Sequence, residues 1–186
     1  MAVKPLKVNL KQLLESYTND RAKQRAITPV LKKPEVKREL AMQIIDAIVE
    51  RTLSGKDKNN KDFKPYKTHK GQPWKDYVNS LIFKIYKGGK RKPDLKLTGN
   101  MLTAIDAVKI GLNDIEIGFN DKQEADKAEG HVLGTGGHGG LPVRDFWGLP
   151  DKKTMDAILE DVIKGYNTQR IEAIEILQSE QEVEVD

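Results

Sequence analysis

The sequence predicts an α+β domain: helices flanking a small antiparallel β-sheet, with an extended or helical N-terminal arm and a long C-terminal helix. Three observations carry that expectation. Apolar residues recur at helical spacing through residues 34–55 and again through 151–174, and between them residues 105–119 change to alternation about a Gly-Leu-Asn-Asp turn. At 186 residues the chain has the length of one domain with extensions, enough to bury a single core. The expected division is an arm over residues 1–33, a core domain over 34–166, and a helix end with an acidic tail over 167–186.

Element by element, the spacing of Leu10, Leu13, Leu14 and Tyr17 predicts a short amphipathic helix over residues 8–24, with Asn9 as its N-cap. Pro29 and Pro34 bracket "VLKK", which reads as a linker. From Pro34 a helix is expected with Val36, Leu40, Ile44, Ala47 and Ile48 on one stripe, stopping at Gly55. The lysine-rich stretch from Lys56 to Lys75 has no period and reads as a loop pinned by Phe63, Tyr66 and Trp74. Its "DKNNKD" lacks the central glycine and distal glutamate of a calcium loop. Residues 74–86 return to helical spacing and end in the flexible tip "KGGKRKP".

After a short turn or helix at "TGNML", the alternation of Ile105 and Ala107, then Ile115, Ile117 and Phe119, predicts a β-hairpin. Residues from Lys122 to about Val132 are compatible with a helix, which a glycine-rich loop follows. "LPVRDFW" is expected to be extended, because Pro142 disfavours helix at the residue before it. The longest helix opens at Asp151, puts Met155, Ile158, Leu159, Val162, Tyr166, Ile171 and Ile174 on one face, and has a weak point at Gly165. The acidic tail is expected to be loose.

Composition removes several chemistries. With no cysteine there are no disulfides, thiol nucleophiles or Cys-ligated zinc sites, and only His69, His131 and His138 remain as imidazoles. No apolar run approaches the roughly 20 residues that cross a bilayer, and "MAVKPLKVNLKQ" lacks the apolar core of a signal peptide. The expectation is assembly in a cytoplasm, with no membrane partner.

The net charge of +4 hides a polarity: residues 1–100 hold 24 Lys and Arg against 10 Asp and Glu, a net +14, whereas residues 101–186 hold 8 against 18, a net −10. Opposite charge on the two halves suits head-to-tail self-association or attraction to a polyanion.

The stretch "GTGGHGG", residues 134–140, matches the dinucleotide fingerprint G-x-G-x-x-G in letters but not in setting. A phosphate cradle of that kind needs a strand before it and a helix opening at its third glycine; here a helical segment precedes and Leu141-Pro142 follows. No Gly-Lys-Ser/Thr is present for the other phosphate loop. His131 and His138 are separated by a glycine loop that fixes no ligand geometry and offers no orienting partner for acid-base work. No catalytic residue, metal ligand or cofactor is therefore expected. Lys56 to Lys96 is dense in lysine with Tyr66, Trp74, Tyr77 and Tyr86 interleaved, which suits sequence-nonspecific nucleic-acid binding; with Arg91 the only arginine there, bidentate base reading is not expected. Lys87, Lys90, Arg91 and Lys92 are the candidate contacts to DNA or to an acidic partner.

The order of four segments is familiar. "GKDKNNKDFKPYK", "LKLTGNMLTAI", "KAEGHVLG" and "LPVRDFWGLPDK" together resemble the virion morphogenesis and tail-completion proteins of tailed bacteriophages over roughly residues 34–164. Those proteins carry a G-x-D-x-x-G-x-x-F/W-x-P loop, an L-T-G-x-L turn, an A-x-x-H-x-x-G helix end and a P-x-R-x-F-x-G-L segment. The positions matching these patterns are Phe63 and Pro65, then Leu97, Thr98, Gly99 and Leu102, then Gly130 and His131, then Pro142, Arg144, Phe146 and Gly148. Asn60 or Lys61 stands where the family loop often has glycine, and Trp147 is bulkier than the usual leucine.

The resemblance implies a non-enzymatic structural protein of the phage neck or tail end, located in the virion and assembled in the host cytoplasm. It implies a homo-oligomeric ring, a hexamer or dodecamer, that completes the head–tail joint or terminates the tail beside portal, adaptor and tail proteins, with double-stranded DNA passing through. The alternative is a basic, nonspecific nucleic-acid-binding accessory protein. Phe146, Trp147 and Leu149 are expected to fill the domain's own core in preference to a neighbour's surface.

Overall fold

The computed structural model describes residues 3–63, 100–135 and 143–183. The fold is α+β: six helices and one three-stranded antiparallel sheet among the described residues. In chain order they are β1 (Leu6–Asn9), α1 (Leu10–Tyr17), α2 (Arg21–Leu31), α3 (Pro34–Leu53), α4 (Asn100–Thr103), β2 (Ile105–Ile110), β3 (Asp114–Phe119), α5 (Lys122–Leu133) and α6 (Lys152–Val183).

The N-terminal segment is built into the sheet and the core. Leu6 to Asn9 pair antiparallel with Ile117 to Asp114, making β3 the central strand in the order β1-β3-β2. Val8 turns into the core, joined by Leu10, Leu13 and Leu14 of α1 and by Ile27 and Leu31 of α2. Asn9 caps α1 by accepting from the Gln12 N–H at 3.0 Å.

The single helix expected over residues 8–24 is two. Asp20 opens α2 by accepting from the Ala22 and Lys23 amides at 2.8 and 3.3 Å, while the Gln24 side chain donates to the Thr18 carbonyl at 2.7 Å. The "VLKK" linker is likewise replaced by structure, since α2 continues through Pro29 to Leu31. Two buried anchors, Ile27 and Leu31, hold that turn in place although Pro29 removes a helical N–H.

α3 begins with Pro34 at its first turn and is followed by Gly55 at φ 76°, as its sequence signals require. It is covered from more than one side. Val36, Leu40, Ala41, Ile44 and Ile48 are buried, and Ile45, Ala47, Val49 and Leu53 pack partly against the core, because the sheet, α2 and α6 all contact this helix. Even Lys37 is buried: its Nζ donates to the Gly111 carbonyl at 2.7 Å and so ties α3 to the hairpin turn.

The hairpin forms as the alternation predicts, with Ile105, Ile115 and Ile117 buried. Its register shifts between Ala107 and Lys109, a bulge that leaves Val108 exposed. α5 starts on an Asp121 cap and ends at Gly134 with φ 71°, a left-handed conformation that glycine adopts without a Cβ penalty. α6 is continuous through Gly165 to Val183, so the acidic tail is helical up to that point. The expected helix over 74–86, the tip "KGGKRKP" and the loop 136–142 lie outside the described residues.

Candidate functional site

The segment 143–151 has no regular structure and yet is hydrogen-bonded to several separate parts of the fold. Unpaired carbonyls inside a fold are costly, so each must find a donor. Arg51, in the last turn of α3, supplies several: Nη2 donates to the carbonyls of Phe146 at 2.9 Å and Gly148 at 2.7 Å, and Nη1 to that of Leu149 at 3.2 Å. A planar guanidinium can serve these divergent acceptors, which an ammonium could not do from one point. Burial pulls the Arg51 pKa below its ordinary value, opposed by Asp57, Asp151 and Asp145, and the group remains a cation at any physiological pH.

On the outer side lies the turn 56–62. The Lys58 amide donates to the Asp145 carbonyl at 2.8 Å, the Lys58 Nζ pairs with the Asp145 carboxylate at 2.7 Å, and the Asn60 amide group donates to Asp151 at 2.8 Å. The turn is closed by Asp57, whose carboxylate accepts from the Asn59 and Lys61 amides at 2.8 and 2.9 Å. Asn60 sits at its apex with φ 61°. That left-handed conformation favours glycine, and asparagine is among the few other residues that tolerate it. A Cβ on Gly148 would lie 2.8 Å from the Cβ of Lys58, so the close approach of the two segments needs glycine there.

On the inner side Phe146 is fully buried and Trp147 nearly so, which makes both part of the protein's own core, with Leu149 packed partly against it. The indole ring stacks at 4.7 Å on Phe119 of β3, and its N–H donates to the Lys4 carbonyl at 2.9 Å. That bond satisfies the one polar atom of the ring and fixes the N-terminal strand. The Arg144 amide donates to the His131 carbonyl at 2.8 Å, joining the same segment to the end of α5. The Arg144 side chain is 1% exposed. Burial, and secondarily the Arg144 charge, lower the His131 pKa to about 4, so the imidazole is neutral at pH 7.

Segment 143–149 thus binds α3, the turn 56–62, β3, the N-terminal strand and α5 into one unit. Of the twelve family-pattern positions, Phe63, Leu102, Gly130, Arg144 and Phe146 are buried, and His131 and Gly148 are partly so. Phe63, Leu102 and Phe146 share one core cluster, while His131 and Arg144 meet at the end of α5. Pro65, Leu97, Thr98, Gly99 and Pro142 lie outside the described residues, as do His69, His138, Lys87, Lys90, Arg91 and Lys92.

Sequence reasoning missed Arg51, Lys58 and Lys37. Arg51 carried a signal only as a basic residue in the last turn of a helix, which ordinarily marks favourable interaction with exposed end carbonyls. Among the described residues no cluster of His, Asp and Glu is arranged to hold a metal ion, and no helix is long and apolar enough to cross a membrane. No protein-family model, curated protein or solved structure matches the chain.

Proposed function

We propose that this chain is a structural subunit of a phage neck or tail end, working as one member of a homo-oligomeric ring that completes the head–tail joint or terminates the tail. The observation that carries the reading is the hub around residues 143–149. Pieces of three patterns separated along the chain, Phe63 with its turn, the Gly130-His131 helix end and the Arg144-Phe146-Gly148 segment, meet there in packing and backbone hydrogen bonds. Their shared task is to hold a shape, which is what a subunit in a ring requires. The left-handed Asn60 supports the same reading, because the family loop often has glycine at the position of Asn60 or Lys61, and Asn60 adopts a conformation that favours glycine.

A ring is built from a heterologous contact, in which one face of a subunit meets a different face of the next. The polarity of the chain, +14 over residues 1–100 and −10 over 101–186, favours such pairing over like-to-like contact. Purified virions analysed by mass spectrometry should contain the chain in fixed, low copy number, and particles from a phage lacking its gene should accumulate as full heads and finished tails that fail to join. Absence from mature particles, or normal infectivity without the gene, overturns the reading. Duplex DNA binding by the isolated protein with a steep dependence on salt would instead favour the basic accessory protein.

A further inference from the structure

We infer that the outward ridge of α2 lies in the groove between α3 and α6 of a second copy of this chain. The contact takes its biological setting from the ring reading and its geometry from the packing and charge of these three helices.

The groove has a volume of about 250 Å³ and is floored by the buried Val36 and Val162. Glu35 and Glu39 stand on its α3 wall and Asp161 on its α6 wall, with the Gln43 amide group donating to Glu39 at 2.9 Å and to Asp161 at 3.1 Å. Among the described residues, no lysine or arginine pairs with any of these three carboxylates, so the groove draws a cation. Its α6 wall also carries Gly165. Glycine weakens a helix interior, and nothing in the described fold requires it at this point: its φ is not positive, and a Cβ there would meet no atom within 4 Å. A side chain omitted beside an open groove is what the close approach of another helix needs.

α2 supplies a matching ridge. Ala22, Ala26 and Pro29, at i, i+4 and i+7, are small and exposed, and Arg21 and Arg25 stand exposed along their flank, one turn apart. No Asp or Glu occurs within Arg21–Leu31. Small residues let helix axes come to the short end of about 8–10 Å, near enough for the two guanidinium groups to reach carboxylates on the groove walls.

α2 cannot enter the groove of its own chain. Ile27 and Leu31 hold its opposite face in the core, and only Lys32 and Lys33 separate it from α3, which is itself one wall of that groove. A polyanion such as duplex DNA would suit Arg21 and Arg25, but it gives no reason for Gly165 and is repelled by the three carboxylates. The occupant is therefore a second copy. Different faces of the two copies meet, the head-to-tail kind of contact that closes into a ring or extends as a filament.

In sedimentation velocity on the full chain, Arg21→Glu with Arg25→Glu should weaken self-association by about tenfold or more, and so should Glu35→Arg with Glu39→Arg. An equal mixture of the two variants should recover it, since each then meets the opposite charge on the other. All four positions are exposed, so the variants are expected to fold. Gly165→Ala should raise the thermal midpoint and yet weaken self-association, a pair of effects that a role within one chain does not give. A chain that stays monomeric at about 100 μM overturns the contact. So do association indifferent to the reversal at Arg21 and Arg25, a mixture that fails to recover, and monomers that bind duplex DNA through those two arginines. A ring built on other surfaces would survive such a failure. Conversely, a confirmed contact in a chain absent from virions keeps this inference and removes the phage setting.

Discussion

Three carbonyls of a segment without regular structure depend on the Arg51 side chain. Replacing it by methionine keeps much of the buried stem but strands those acceptors. Charged hydrogen bonds of this kind contribute roughly 1.5–3 kcal/mol, and unsatisfied buried acceptors add to the loss, so Arg51→Met should cost about 3 kcal/mol in urea unfolding. Arg51→Lys should recover less than half of that, since one ammonium cannot span the three sites.

His131 gives a pH signature at the same scale. Its folded pKa of about 4 lies below the usual 6.5, so the unfolded chain binds the extra proton first. Stability from this group is complete above pH 6.5 and is lost as pH falls towards 4, amounting to roughly 2–3 kcal/mol over that window. In His131→Gln the slope of unfolding free energy between pH 6.5 and 4 should flatten. The half-buried Asp114 and the exposed Asp151, whose pKa values are lowered by hydrogen bonds from Lys7 and Thr154 respectively, lose their contribution only below the ordinary carboxylate range, so the two effects separate on the pH axis.

Among the elements, β1 and the turn 56–62 are the most informative. β1 is only four residues long, yet Val8 is 3% exposed and the strand completes one side of the sheet. Val8→Asp places an unpaired charge in that core and should cost at least about 3 kcal/mol, enough to threaten folding of a marginally stable domain. An arm docked from outside would show almost no change in chemical denaturation. In the turn, Asn60→Gly should alter stability by no more than about 0.5 kcal/mol, whereas Asn60→Val forces a β-branched residue to φ 61° and should cost about 1–2 kcal/mol. Both strands of the hairpin and the long helices were legible because each repeats its period over many residues. β1 was not, since "LKVN" is too short to declare a period and becomes a strand only when β3 offers its edge. The division of residues 8–31 into two helices was missed for a related reason: Leu10, Leu13 and Leu14 dominate the pattern, and the cap at Asp20 speaks only locally.

At the scale of the whole molecule, the proposed ring carries a prediction that rests on charge. A ring contact that pairs the basic and acidic parts of the chain is drawn together by opposite charge, so self-association should weaken as salt rises from about 0.05 to 0.5 M, where the screening length falls below about 5 Å. An interface held by apolar burial alone would be indifferent or strengthened. Sedimentation velocity at the two ionic strengths reads the difference directly.

By itself the sequence determined the α+β class, the hairpin, the bounds of α3 and α5 and the interior destination of Phe146 and Trp147, because hydrophobic period, caps and turn residues act over a few neighbours. The tertiary structure decided what distant residues do for one another: that Leu6 to Asn9 add a strand, that α3 is covered from several sides, and that Arg51 reaches almost a hundred residues along the chain to hold residues 146–149. Those outcomes depend on which carbonyls and apolar faces are left unpaired once the local elements have formed, and that is a property of their arrangement in space.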